Sequence, residues 1–278
     1  MLSYRHSFHA GNFADLVKHI VLVEILDHLI KKKSPFDYID THSGVGLYDL
    51  GAAESQKLQE YVDGIGKLDF KEFPELARYF QVIRSFNESD DINFYPGSPS
   101  IAKCFLRDQD KGWLFELHPE DHDLLHNNFS EARNIRVYQK DGFDGLKALV
   151  PPSSRRGVVL IDPSYEVKSD YDKVIDSVIK AHKKFSHGIY AIWYPVVDRQ
   201  AIVKMERGLI KSGIRDIQRF ELGISADSAQ RGMTASGMFV INPPWTLFDK
   251  MSKLLPKIAE KVTHINRPVY KCEIIVDE

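Results

Sequence analysis

Cysteine is scarce in this chain: Cys104 and Cys272 are the only two in 278 residues. Neither sits in a metal-type spacing, which excludes a disulfide framework and points to free thiols in a reducing compartment. Long apolar runs are missing as well. None approaches the roughly 18–20 residues that a membrane span needs. The opening segment, MLSYRHSFHAGN, has no apolar core of a secretory signal. A cytoplasmic protein with no membrane partner is therefore expected. Strong charge of one sign is also absent. A formal net charge of −2 argues against gripping nucleic acid by overall electrostatics and leaves only local basic patches. The candidates are Arg5, His6, His9, Lys18 and His19, then Lys31, Lys32 and Lys33, then Arg155 and Arg156. The lysine triplet reads as a solvated helix C-terminus, favoured by the helix dipole. There is no internal repeat, no low-complexity segment and no helix-turn-helix signal for reading DNA.

What is present is an ordinary globular composition, 43% hydrophobic and 27% charged, long enough for one large domain or one domain with an insertion. The most informative stretch is 158–166, VVLIDPSYE. Val158, Val159, Leu160 and Ile161 read as a strand buried on both faces of a parallel sheet. Asp162 falls where that strand ends, and ligands of open α/β sheets bind beyond the carboxyl ends of the strands. A carboxylate, the Pro163 carbonyl and the Tyr165 ring would then meet at the mouth of a pocket suited to a flat, hydrogen-bonding ring such as a nucleobase.

The rest of the chain fits that sheet. Residues 1–12 read as a loop, and Asn12 caps a helix over 13–33 whose apolar residues Leu16, Val17, Ile20, Val21, Ile25, Leu29 and Ile30 fall largely on one face. FDYID (36–40) is a strand, followed by a turn with Gly44 and Gly46. Glycines there let backbone approach a ligand closely, and a plain turn explains them equally well. Residues 47–93 have a helical, polar-rich pattern too long for one crossover helix. They predict a helical insertion subdomain within a domain made of 1–46 and 94–278. Ser98 or Ser100 begins the next helix. Strands are expected to end at Glu116 and near Asp141 and Gly142, with PPSSRRG (151–157) an exposed linker into the strand before Asp162. Later segments alternate helix and strand, with a late hairpin formed by the regions 214–224 and 237–245. The predicted class is α/β, a doubly wound Rossmann-like sheet with a helical insertion.

Carboxylates at successive strand ends, Asp40, Glu116, Asp141 and Asp162, suggest a nucleoside-type cofactor, since the acid after the second strand accepts hydrogen bonds from ribose hydroxyls. Asp141 is placed for the adenine end. The dinucleotide fingerprint G-x-G-x-x-G is absent: Leu47 and Tyr48 follow Gly46, and Gly51 is out of step. The phosphate loop G-x-x-x-x-G-K-[ST] is absent too. A cofactor without pyrophosphate, S-adenosylmethionine, fits best.

D-P-P-Y after the fourth strand marks amino-group methyltransferases acting on nucleobases, and the chain carries it as DPSY. YRHSFHAGNFADLVKH, IDTHSGVGLYDLG, YPGSP, ELHP, DGFDGL, IDPSYE, YAIWYPV and RGMTASGMFVINPPW together resemble the bacterial large-subunit (23S) ribosomal RNA adenine-N6 methyltransferase J family over nearly the whole chain. The resemblance implies cofactor contacts from His19, His42, Ser98, Glu116, Asp141 and Gly142, with Gly44 and Gly46 in the cofactor turn, a catalytic role for Asp162, and substrate contact from Tyr4. Arg5 and His6 extend that substrate set as a lid, and Tyr165 is expected to stack on the base. The implied partner is 23S ribosomal RNA, with no obligate protein partner. Some relatives carry a label for using external DNA as a nutrient, so a DNA adenine methyltransferase and a non-catalytic nucleic-acid-binding protein stand as alternatives. Ser164 departs from the family pattern: it restores a backbone N–H where the second proline would stand and frees φ.

Two decoys compete. Asn242-Pro243-Pro244-Trp245 spells the N/D-P-P-aromatic motif better than DPSY, but it follows a late strand expected to run antiparallel and end away from the cofactor edge. His6, His9, His19 and His42 are irregularly spaced for a metal, and none is expected.

Overall fold

Asn12 starts the central helix. Its side-chain oxygen accepts from the backbone N–H groups of Ala14 and Asp15 at 2.9 and 3.1 Å, the N-cap that the sequence predicts. The computed structural model describes residues 5–227 and 232–278. The helix, α1 (Phe13–Ile30), is not the one-faced helix expected: 14 of its 18 residues are buried, Asp15, Lys18 and His19 among them. Leu22, Val23 and Leu26 fill the face left over by the predicted stripe. A helix that is apolar all round belongs in a core, and its few polar side chains then require partners there.

The chain continues through β1 (Asp37–Asp40), β2 (Leu47–Asp49), α2 (Ala53–Leu58), α3 (Glu60–Asp63), α4 (Ala77–Arg84), β3 (Phe94–Pro96), α5 (Ser98–Lys103), β4 (Lys111–Phe115), α6 (Pro119–Phe129) and β5 (Ile135–Tyr138). It ends with α7 (Gly142–Leu149), β6 (Gly157–Ile161), α8 (Ser169–Lys184), β7 (Ile189–Val196), α9 (Arg199–Lys211), β8 (Ile217–Gly223), β9 (Ala235–Ile241), α10 (Leu247–Val262) and β10 (Val269–Val276). Residues 47–93 differ at their start from the helical reading. Leu47, Tyr48 and Asp49 form a strand that pairs antiparallel with β3, outside the main sheet. Only the middle residue, Tyr48, is buried, a period of two over too few residues to be read from the sequence.

Eight strands form one sheet in the order β10-β8-β9-β7-β6-β1-β4-β5. β5, β4, β1, β6 and β7 pair in parallel. β9 runs antiparallel between β7 and β8, and β10 antiparallel to β8. The α/β class therefore holds, as a mixed sheet with antiparallel strands at one side. Every residue of β6 is buried, as its unbroken apolar run requires. From β1 the chain proceeds outward to β4 and β5, then returns to β6 on the other side of β1. The crevice between the carboxyl ends of β1 and β6 is thus the switch point where such sheets hold ligands.

Candidate active site

A cavity of about 860 Å³ opens at that switch point. Its floor is the end of β1. Asp40 is fully buried there and lies beneath the cavity wall. It accepts from the Tyr38 hydroxyl at 2.5 Å, the Ser98 hydroxyl at 2.7 Å and the His42 backbone N–H at 3.3 Å. Burial raises its pKa to about 6, against those hydrogen bonds. Asp40 therefore anchors the turn, while Thr41, His42, Ser43, Gly44 and Ser98 line the cavity above it. Gly44 has φ +58° and donates its N–H to Glu116 Oε2 at 2.9 Å. Gly46 answers to packing instead: it is not part of the lining, and a Cβ there would meet Phe129 at 2.7 Å.

Asp162 follows β6 directly and sits in the cavity wall. The Lys18 ammonium donates to its Oδ2 at 2.8 Å. Burial pushes the Asp162 carboxyl up, against the pull of Lys18. Lys18 also pairs with Asp15 Oδ1 at 2.8 Å. Burial alone would lower the lysine, but Asp15 and Asp162 outweigh it and hold its pKa well above the usual value. The sequence offers Lys18 only as part of a local basic patch, and Asp15 not at all. The signal that would have found them is two opposite charges three positions apart in the N-terminal half of a helix whose apolar residues there spread over every face. His19 lies one position beyond. Its Nδ1 meets the Tyr95 hydroxyl at 2.8 Å, and Nε2 finds no hydrogen-bond partner among the described residues. Burial lowers its pKa to about 3, so the ring is neutral.

The ends of β4 and β5 supply the other wall. Glu116 accepts from the N–H groups of Gly44 and His118, and burial raises its pKa. Asp141 caps α7, accepting from Phe143 N at 2.8 Å, and receives Lys173 Nζ at 2.9 Å. The Asp141 carboxylate that the sequence offered to an adenine is thus already paired. Gly142 packs against β1 so closely that a Cβ would lie 1.8 Å from the Thr41 carbonyl oxygen. His42, lowered by burial to about 4, sets its ring edge-on to Phe143.

Pro163, Ser164 and Tyr165 also line the cavity, so the serine variant of the motif still turns the same residues inward. Tyr165 holds φ +54° and is only 8% exposed. Its hydroxyl donates to the Trp193 carbonyl at 2.6 Å and its ring lies 4.5 Å from that of Tyr171. A ring expected to stand free for stacking is instead tied down at its hydroxyl end. Trp193, unremarked in the sequence, lines the cavity too.

Among the substrate candidates, Tyr4 lies outside the described residues. Arg5 is not part of the lining and pairs with Glu120 and Asp121 of α6, each at 3.2 Å. His6 lines the cavity and contacts Asp15 at 2.9 Å. His9 meets Glu60 instead, so the histidines of the segment serve different partners. The motif decoy stands at the other end of the sheet. β9 delivers Asn242 beside the start of β7, where its amide donates to the carbonyls of Ser186 and Gly188, and Trp245 is 83% exposed.

A mostly parallel sheet with an antiparallel late strand, a crevice lined by strand-end acids and a turn in place of a phosphate loop define a Rossmann-like α/β methyltransferase. The family described as ribosomal RNA large subunit methyltransferase D, RlmJ, matches residues 33–275, and the chain belongs to it. Ribosomal RNA large subunit methyltransferase J of Haemophilus influenzae is 52% identical over 263 residues, 94% of each chain. The protein of that name from Escherichia coli is 49% identical over 264 residues, again 94% of each. A crystal structure of a Legionella pneumophila protein superposes with a TM-score of 0.87 at 34% identity, covering 96% of this chain and 98% of that one.

Proposed function

We propose that this methyltransferase modifies the N6 amino group of an unpaired or flipped adenine in 23S ribosomal RNA, using S-adenosylmethionine. It does so in the cytoplasm and without an obligate protein partner. One observation carries the reading: Asp162, pinned by Lys18, shares a single cavity with Pro163, Tyr165, Glu116 and His19. Family membership supports the RNA substrate, since the relatives named above are ribosomal RNA methyltransferases.

The residues present fit the cofactor. An acid-lined cavity repels a pyrophosphate and suits a sulfonium cation. Glu116, at the end of β4, is placed for ribose hydroxyls, and the orphan Nε2 of buried His19 is a polar atom awaiting a partner. His42, Gly44, Ser98 and the Asp141–Gly142 corner complete the cofactor side. When bound, S-adenosylmethionine supplies an activated methyl group.

The adenine amino nitrogen is a poor nucleophile because its lone pair is delocalised into the ring. Asp162 Oδ1 and the Pro163 carbonyl accept its two N–H bonds and hold the lone pair toward the transfer position, a gain that comes mainly from orientation. Lys18 occupies Oδ2 and keeps the buried carboxylate ionised, so Asp162 can take the proton that leaves nitrogen. Tyr165, fixed through Trp193, offers its ring to the base. A base within a duplex cannot reach such a pocket, hence the unpaired or flipped target. Residues 47–93 act in this reading as an insertion subdomain that supports the cavity.

The test incubates purified protein with labelled S-adenosylmethionine and, in parallel, unmodified large-subunit RNA, small-subunit RNA and DNA. Label in large-subunit RNA, recovered as N6-methyladenine, is expected. Label in DNA alone overturns the RNA assignment. No label and no cofactor binding by calorimetry overturns the enzymatic reading.

A further inference from the structure

Asp15 has no place in the methyl-transfer chemistry proposed for the site, yet it lines the cavity and is the hub of a buried polar network there. Its side chain is 1% exposed. Oδ2 accepts from the Gly11 backbone N–H at 2.8 Å and meets His6 Nε2 at 2.9 Å. Oδ1 pairs with Lys18 Nζ at 2.8 Å and lies 3.8 Å from His19 Nε2. Lys18 in turn holds Asp162. A single carboxylate thus touches the N-terminal segment through His6 and Gly11, and the transfer site through Lys18.

We infer that Asp15 is a positioning residue for methyl transfer: it fixes the Lys18 ammonium against Asp162 and ties that pair to the segment 5–12. This rests on the reading that Asp162 works at the transferring nitrogen. Two carboxylates on one ammonium leave it a single station. Without Asp15 the four-carbon stem of Lys18 could follow Asp162 or swing from it, and the orientation of the Asp162 carboxylate would go with it. The groups facing Asp15 are His6 from the N-terminal segment, Lys18 and His19 from its own helix, and Asp162, by way of Lys18, from the end of β6. Behind His19 stand the Tyr95 and Tyr79 hydroxyls, 2.9 Å apart.

Asp15→Asn keeps an oxygen for Gly11 and removes the charge. Asp162 loses a repelling neighbour and Lys18 loses a partner, so both limbs of the pH–kcat profile move to lower pH. Shifts of about one unit each are expected, with kcat at the optimum down on the order of tenfold, and KM for S-adenosylmethionine changing little. In a Lys18→Met background the same substitution should add almost no further loss of kcat, because its positioning effect passes through Lys18, while the direct repulsion of Asp162 is still relieved. Asp15→Glu, which keeps the charge but displaces it, leaves the limbs in place and lowers kcat, and serves if the asparagine variant does not fold. An unmoved profile in Asp15→Asn, full additivity with Lys18→Met, or wild-type kcat in Asp15→Glu overturns the inference. Asp162→Asn is run alongside. If that variant is fully active, the reading of Asp162 itself fails. If it is inactive while Asp15→Asn behaves as wild type, only the role of Asp15 fails.

Discussion

Lys18 Nζ lies 2.8 Å from Asp162 Oδ2, although 144 positions separate the two residues in sequence. The pair lines the cavity wall where α1 meets the end of β6. Its side chains are 6% and 14% exposed, and the ammonium opposes the effect of burial on the Asp162 carboxyl. Removing the ammonium leaves burial unopposed on Asp162 and raises its pKa further. In Lys18→Met, the acid limb of the pH–rate profile should therefore move to higher pH, with turnover at pH 7 down on the order of ten- to a hundredfold. A profile with the wild-type acid limb would contradict this.

Asp162→Asn removes the carboxylate proposed as proton acceptor and retains the shape. Methyl transfer should fall about 10²–10⁴-fold, the usual contribution of a positioned acid–base group, while cofactor binding by calorimetry persists. Wild-type transfer at every pH would rule out a base role for the carboxylate.

His19 gives a prediction for stability. Its pKa is about 3 in the fold, against an ordinary 6.5. Between those values the unfolded chain binds a proton that the folded chain refuses, so stability is lost as pH falls through this window. At pH 5 the loss relative to pH 8 is about 2 kcal/mol from this one ring. Urea melts of the wild type and His19→Gln at both pH values should show that difference between the two proteins. Parallel pH dependence would refute it.

Gly142→Ala places a methyl group against backbone. A Cβ 1.8 Å from the Thr41 carbonyl oxygen cannot be absorbed by a rotamer change. The start of α7 must move off β1, at a cost of about 1–3 kcal/mol in the range for overpacking. The urea midpoint should drop, and cofactor affinity with it, because Thr41 and Gly142 both line the cavity. A midpoint equal to that of the wild type would show that α7 yields without strain.

Trp245→Ala tests the decoy motif. The ring is 83% exposed and stands at the opposite end of the sheet from Asp162. Stability should change by less than about 0.5 kcal/mol, as for an ordinary surface substitution, and methyl transfer should be unchanged. A large loss of turnover would move attention back to NPPW.

Much of the fold is legible in short-range pattern. The short apolar run before Asp162 has the length and β-branched content of a doubly buried strand, and Asn12 caps its helix because a short amide side chain satisfies free N–H groups there. Glu116 follows β4 directly because the apolar pattern stops there, whereas β5 already stops at Tyr138 and Asp141 caps α7. The position of NPPW was decided by strand direction, which follows from the order of elements. The exceptions have physical reasons. β2 is three residues long, below what a period of two reveals. Seven apolar positions of α1 make a stripe on one face, whereas burial on every side depends on what packs there.

The sequence by itself determined the α/β sheet, the acids at its edge and the family, since each is written in local runs and spacings. The tertiary structure alone decided how those acids are used. Asp40 is spent on Tyr38 and Ser98, Asp141 on Lys173, and Arg5 on α6, while Asp162 is held by Lys18 and, through it, by Asp15. The pairings of Asp40 with Ser98, Asp141 with Lys173 and Asp162 with Lys18 join residues distant in the chain. They exist only once the helix has entered the core, where a buried charge must find its opposite.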